Sequence, residues 1–357
     1  MATTQPSNHL TTQPPDRPKR SRSNSCLQIF ASVLGGLVIF NLCMTIIFIA
    51  YYANARAKAI ESNQTPPKPL ELLQTVMPLP NPTTTVKPPT GVVTILLMGT
   101  DARPNELNTP SRTDTMMIAR VDFDRKTAKL LSIPRDVWVA IPNLKSYGVT
   151  EDRINSAYFY GEAFNVKGGG AKVAMDTVTL NFGIPIDHYA VINFQGFVKV
   201  VDALGGIDLN VPTAIYDPEF PTDDYKTMVF AVKEGQQHLD GITALRYART
   251  RHQDSDTERI KRQQLVLLAI RDKALSVNAV VRIPEVYNAM LGSFNTDLSL
   301  PTLISYGVTG QQIDRANIKM YAIDYSMLIS WTTPLGASVL IPDRARIAPV
   351  VKEFLGD

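Results

Sequence analysis

Aspartate and arginine gather in four short stretches of this 357-residue sequence: GTDAR at 99–103, SRTDT at 111–115, SIPRD at 132–136 and YARTR at 247–251, the last followed by Arg259 and Gln263. Asp101 with Arg103, and Arg112 with Asp114, stand at the two ends of one loop. This mixture suits a pyrophosphate carrying a divalent cation. Hard carboxylate oxygens hold Mg²⁺, which keeps much of its water and shares phosphate oxygens, while guanidinium forks bind the remaining phosphate charge. Arg249 and Arg251, at i and i+2, share a face if their segment is extended. Arg259 and Gln263, at i and i+4, share one face of a helix. The same residues could instead compose a solvated ion-pair network, since Asp and Arg pair on surfaces for little gain, and spacing leaves both readings open. Arg112 could bind phosphate or pair with Asp101 or Asp114, and Asn155 could donate to phosphate or end a turn. Asp136 and Asp202 read as local structural partners.

Other familiar enzyme chemistries leave marks that are missing here. There is no GxSxG elbow, Ser-x-x-Lys pair or P-loop. The only cysteines, Cys26 and Cys43, lie in an apolar run, and His9, His188, His238 and His252 lack the spacing of a zinc site. Serine acyl transfer and cysteine chemistry fall away.

The elements that must position the charged stretches are readable. The run 92–98 (VVTILLM) predicts a buried strand that delivers Asp101 at its C-terminal end, and 116–121 with 128–133 predicts a hairpin. Helices are expected over 172–182, 194–204 and 347–354. Strands are expected over 187–192, 207–211, 318–323 and 338–341, with Gly205-Gly206 as a tight turn. Ser255-x-x-Glu258 reads as a capping box opening a helix to about 275. Interleaved strands and helices predict an α/β fold with a mixed central sheet between helices.

Residues 1–25 read as a disordered tail. No Asp, Glu, Lys or Arg occurs between Arg22 and Arg56, and 26–52 is long enough to cross a bilayer, which needs about 20 residues. Arg17, Lys19, Arg20 and Arg22 precede the run, so the positive-inside bias predicts a single-pass anchor with a cytoplasmic N-terminus and everything after it outside. Eight prolines between 62 and 90 make 53–90 an extended stalk. A folded domain is expected over 91–357. From Glu61 onward 30 bases face 32 acids, which removes the charge excess that nucleic-acid binding requires.

Six blocks, in this order, carry a resemblance: GTDAR, SRTDT, LLSIPRD, RINSAYFYGE, FVKVVDALGGIDLNVP, and LDGITALRYARTR with RIKRQQ after it. Across roughly 92–275 the chain resembles the LytR-CpsA-Psr family of membrane-anchored cell-wall enzymes. It departs from the family pattern at Arg153 and Glu162, where Lys and Gly are common, and in a shorter loop between Arg251 and Arg259. The resemblance implies a phosphotransferase that moves a glycan polymer from a polyprenyl-pyrophosphate carrier to peptidoglycan, with the lipid tail in an apolar tunnel. A polyprenyl-pyrophosphate phosphatase and a non-enzymatic regulator or scaffold of envelope assembly are the rival expectations. It also implies Mg²⁺, with Mn²⁺ as the alternative ion, on Asp101 and Asp114, and pyrophosphate on Arg103 and Arg135. Arg249, Arg251, Arg259 and Gln263 match the later cluster of that site.

Overall fold

The structure, a computed structural model, describes residues 88–101, 109–222, 226–251, 256–276 and 292–356. All of them belong to one compact unit, Val86–Asp357. The expected tail, membrane span and most of the stalk lie outside the described residues, as do Arg103 and Ser255. Among the described residues no helix is long and apolar enough to cross a membrane.

The chain opens with β1 (Val92–Thr100), β2 (Thr113–Asp122), β3 (Thr127–Ile133), β4 (Trp138–Ala140) and β5 (Glu151–Arg153). Two helices follow, α1 (Ser156–Ala163) and α2 (Gly169–Phe182), then β6 (His188–Asn193), α3 (Phe194–Ala203) and β7 (Ile207–Val211). Next come β8 (Ile215–Pro221), β9 (Thr227–Val232), β10 (Gly235–Leu239), α4 (Gly241–Arg249) and α5 (Asp256–Ser276). The C-terminal part holds β11 (Phe294–Thr296), α6 (Leu300–Gly310), β12 (Ile318–Ala322), β13 (Leu328–Thr332), β14 (Ser338–Pro342) and α7 (Arg344–Leu355).

Six strands form the central sheet in the order β11-β6-β1-β2-β3-β12. β1 runs antiparallel to β2 and parallel to β6, and β3 runs antiparallel to β2 and parallel to β12, so the sheet is mixed as expected. Strand side chains alternate between faces. Leu96, Met98, Met116, Ile118, Leu131 and Ile133 point into a core completed by α1, α2 and α7. Ile95, Leu97, Ala119 and Leu130, from alternate positions, line the opposite face with α5 and α6. The unbroken apolar run in β1 is thus explained by two apolar surroundings. A second core joins α3, α4 and α5 to β7–β10.

The glycine run before α2 has a packing reason. A Cβ on Gly170 would sit 2.3 Å from the carbonyl oxygen of Tyr158, and one on Gly161 2.5 Å from the Cα of Gly170, so α1 and α2 touch backbone to backbone. Gly170→Ala is expected to destabilise the unit by about 1–3 kcal/mol, read as a lower urea midpoint at unchanged slope. Gly205 and Gly206 both have φ near +80°, and a Cβ on Gly206 would meet the His238 ring at 2.5 Å, which accounts for the turn read at these positions.

Candidate functional site

Three neighbouring strands deliver charge to one end of the sheet. Asp101 follows β1, and its N–H donates to the carbonyl of Arg112 at 3.4 Å, closing the loop at its base. Asp114 is the second residue of β2, and Arg135 follows β3 across Pro134. Arg135 Nη1 donates to Asp114 Oδ1 at 2.5 Å. Asp136 lies 3.5 Å from Arg135 Nε and 3.4 Å from Arg153 Nε, in the structural role read for it. Burial, and next the charge of Asp114, raise the carboxyl pKa of Asp101 above its ordinary value, against the pull of Arg112 and Arg135. Burial opposes the charge of Arg135, yet Asp114, Asp136 and Asp256 together hold its pKa above the ordinary value.

The second set of arginines comes from the α4–α5 connection. Asp240 caps α4 by accepting from the N–H of Thr243 at 2.8 Å. Arg249 is the last residue of this helix, so the extended reading that placed Arg249 and Arg251 on one face is corrected. An α-helix that ends on Arg249 and a non-helical Thr250 turn the two side chains apart, and the guanidinium of Arg249 stands 4.2 Å from the ring centroid of Phe194. Beneath the connection two buried charged residues act as a clamp. The Thr250 hydroxyl donates to Asp217 Oδ2 at 2.5 Å, and Arg262 donates to the carbonyls of Tyr247 and Thr250. Arg251 forks onto Asp256 at 3.1 and 3.4 Å, and Arg259 meets the same carboxylate at 3.1 Å. Tyr325, far along the chain, donates its hydroxyl to Asp256 as well, at 2.5 Å.

Burial opposes ionisation of Asp256, but the Tyr325 hydroxyl and the charges of Arg259 and Arg251 prevail, and the group titrates below its ordinary 3.8. Its contribution to stability is therefore present above pH 3.8 and lost as the pH falls through the lower folded value. Asp256→Asn is expected to flatten the acid limb of a plot of unfolding free energy against pH. An unchanged limb would remove Asp256 from that role.

Burial lowers the pKa of Arg259, and its remaining influences include Asp256, Arg251, Arg135 and Asp114, so the strand-end charges and the α5 arginine act on one another. Two buried polar atoms here, Asn155 Oδ1 and Arg259 Nε, have no hydrogen-bond partner among the described residues, and Arg135 Nε has only the 3.5 Å ion-pair contact with Asp136. Buried polar groups are almost always satisfied, so these atoms mark where a ligand would supply the missing partners. Asp101, Asp114, Arg135, Arg251 and Arg259 are thus brought together. Arg112 pairs with neither acid: its Nε donates to Ser156 Oγ at 3.4 Å and its guanidinium lies over Phe159. Gln263 donates to the carbonyl of Ala248 at 3.4 Å, and the Asn155 carbonyl accepts from Thr113. Asp202 accepts from the N–H of Gly241 at 2.7 Å.

Asp256, Tyr325, Asp217 and Arg262 were not anticipated from sequence. Asp256 stands inside the stretch read as a capping box, so an available acid was assigned to helix initiation, and no local signal ties Tyr325 to the site.

On the opposite face of the sheet lies an apolar cavity of about 550 Å³, walled by Ile95, Leu97, Ala119, Leu130, Leu268 and Leu303 among others. The elements that wall it also carry the charged groups. Along β1, Leu97 precedes Asp101 by roughly 13 Å of strand; along α5, Arg259 precedes Leu267 by roughly 12 Å of helix. Gln264 pins α5 over the sheet by donating to Ser132 Oγ and the carbonyl of Tyr321, both at 2.9 Å. An amphiphile with an anionic head and an apolar tail fits this pairing.

Among the described residues no group of three or more His, Cys, Asp and Glu could hold a metal. His188 and His238 pair with Asp297 and Asp208. A divalent cation that takes phosphate oxygens needs fewer protein ligands, one or two carboxylates being typical for Mg²⁺. Asp101 and Asp114 supply carboxylates that fit such an ion: burial first, and then the charge of Asp114, raise Asp101, and a bound cation would offset both.

Residues 47–353 match the model of the LytR_cpsA_psr family. Regulatory protein MsrR of Staphylococcus aureus is 32% identical over 229 residues, 62% of this chain and 62% of that protein, so the matched stretch spans about three fifths of that relative. The polyisoprenyl-teichoic acid–peptidoglycan teichoic acid transferase TagU of Enterococcus faecalis is 35% identical over 207 residues, 57% of this chain and 61% of its own length. Among solved structures, TagV of B. subtilis has a TM-score of 0.59 at 26% identity, covering 75% of this chain and 98% of that one. TagT bound to LIIa-WTA also has a TM-score of 0.59, at 27% identity, covering 76% and 91%. Motif order, mixed sheet and family match agree, and the chain belongs to the LytR_cpsA_psr family.

Proposed function

We propose that this protein is a membrane-anchored extracytoplasmic phosphotransferase that moves a glycopolymer from a polyprenyl-pyrophosphate carrier to peptidoglycan. The observation that carries the reading is the joining, by β1–β3 and α5, of an Asp and Arg cluster with an unpartnered buried donor, Arg259 Nε, to an apolar cavity. The name of TagU, a teichoic acid transferase to peptidoglycan, supports the same class of reaction, and TagT bound to LIIa-WTA is a structural relative with a ligand in place.

Phosphoryl transfer requires positioning and charge neutralisation more than a covalent nucleophile. Mg²⁺ on Asp101 and Asp114 would supply Lewis-acid neutralisation of the phosphates. The unpartnered Nε of Arg259, together with the guanidinium of Arg135, donates to the pyrophosphate and follows its charge as it shifts to the departing polyprenyl phosphate. An acceptor hydroxyl oxygen forms the new bond to the glycan-bearing phosphorus, the bridging phosphorus–oxygen bond breaks, and the hydroxyl proton is released. Arg251, held by Asp256 and in contact with solvent, completes the positive rim.

Lipid extracted from the detergent-solubilised full chain is the test. Mass spectrometry is expected to find a polyprenyl chain ending in phosphate or pyrophosphate. Absence of any polyprenyl lipid, together with failure of added lipid to raise the melting temperature, would contradict the reading. Topology follows from the same proposal: protease added to intact cells is expected to digest the chain after residue 52 and spare the N-terminal tail, and the reverse pattern would refute the anchor.

A further inference from the structure

Beside the Asp101 end of β1, on the flank away from Arg135, the sheet end opens into a second hollow of about 500 Å³. It shares no lining residue with the apolar cavity. Thr100 and Ser111 contribute from the two stems of the Asp101 loop, Asn193 from the end of β6, Phe294 and Asn295 from β11, and Tyr158 from α1.

The chemistry of these walls differs from that of the neighbouring site. No Lys or Arg lines the hollow among the described residues, and its one charged side chain, Glu162, is held in the wall by accepting from the N–H of Gly170 at 2.6 Å. Among the described residues an anion would meet a carboxylate and no cation there. An isoprenoid tail would strip hydroxyl and carboxamide groups of water without replacing their hydrogen bonds. Hydroxyls, carboxamides and the rings of Tyr158 and Phe294 match a neutral, polyhydroxylated ring with an amide substituent, which offers donors and acceptors at its edge and C–H groups on its face.

Position adds to composition. Thr100 immediately precedes Asp101 and Ser111 immediately precedes Arg112, so the hollow adjoins the Asp101 end of the charged cluster. The apolar cavity fixes the side to which the polyprenyl phosphate leaves, and an attacking oxygen must arrive from elsewhere, because attacking and leaving oxygens lie roughly in line. We propose that this hollow seats an N-acetylated sugar ring of the wall acceptor. The assignment rests on the transferase reading above and names where its second substrate binds.

Equilibrium binding separates the two claims. Full-length protein in detergent micelles is titrated with a soluble N-acetylated disaccharide–peptide fragment of peptidoglycan, without lipid donor, by ligand-observed NMR. Lipid-pyrophosphate binding is measured in parallel. Asn295 is exposed on a short edge strand, its side chain accepting, among the described residues, a single 3.4 Å bond from the Tyr189 hydroxyl, so Asn295→Leu is expected to fold. Tyr158→Phe removes one hydroxyl and keeps the ring. Asn295→Leu is expected to weaken fragment binding by about tenfold or more, and Tyr158→Phe by a smaller factor, with lipid-pyrophosphate affinity unchanged in both. Unaltered fragment affinity in both variants overturns the proposal. So does loss of lipid-linked donor affinity with fragment affinity intact, which would assign the hollow to the donor's own sugar. A wild-type protein that binds the lipid but not the fragment sinks the acceptor site alone. One that binds the fragment through Asn295 but no lipid pyrophosphate sinks the transferase reading and leaves the sugar site standing.

Discussion

Asp101→Ala and Asp114→Ala are each expected to lower Mg²⁺-dependent turnover of a polyprenyl-pyrophosphate-linked glycan by about 10²–10³-fold or more, the loss typical of removing one group that stabilises developing charge. Both acids stand at strand ends, outside the two hydrophobic cores, so far-ultraviolet circular dichroism and cooperative melting are expected to survive. The two variants differ in a second respect. Asp114 also accepts from Arg135 at 2.5 Å, and its removal leaves that guanidinium with Asp136 alone, so pyrophosphate binding is expected to persist while turnover is lost. Asp101→Ala removes the less favourably charged partner, the one held up by burial and by Asp114, and is expected to raise the Mg²⁺ concentration needed for half-maximal rate. Near-wild-type activity in both single variants would exclude the metal role.

Filling the apolar cavity is expected to act on the lipid tail alone. Ala119 lies on its wall in the middle of β2, and Ala119→Trp would displace about one isoprene unit. At roughly 0.8 kcal/mol per buried CH₂ or equivalent carbon, five carbons amount to about 4 kcal/mol, or about 10³ in affinity. The expected result is a KM that climbs by that order for a long-chain donor and changes little for a donor whose tail is too short to reach Ala119. Equal losses for both chain lengths would mean that the tail does not lie along this face of the sheet.

Much of the scaffold was legible because its signals are local. β1, β2 and β3 follow from apolar runs separated by turn residues, and Asp101, Asp114 and Arg135 from charges set at their ends. α1 was missed because its run of Tyr158, Phe159 and Tyr160 shows no helical period, although α1 packs against α2 through Gly161 and Gly170. Pro218 and Pro221 hid the β8–β9 hairpin, whose register shifts between Asp217 and Phe220. For α4 a signal was present: Asp240 followed by Gly241-Ile242-Thr243 is a cap, and reading it would have placed Arg249 on a helix end. The convergence on Asp256 could not be read locally. It depends on α5 lying over the sheet and on the chain returning 69 residues later with Tyr325, contacts that only the tertiary fold brings about.

The most direct test is a transfer reaction with the full chain in detergent, a polyprenyl-pyrophosphate-linked oligosaccharide, Mg²⁺ and peptidoglycan fragments. Mass spectrometry of the soluble products is expected to show the oligosaccharide joined to the fragment through a phosphodiester, with polyprenyl phosphate released in equal amount and both lost in Arg259→Ala. Release of free oligosaccharide phosphate at saturating acceptor, with no conjugate formed, would make water the acceptor and contradict the transferase reading.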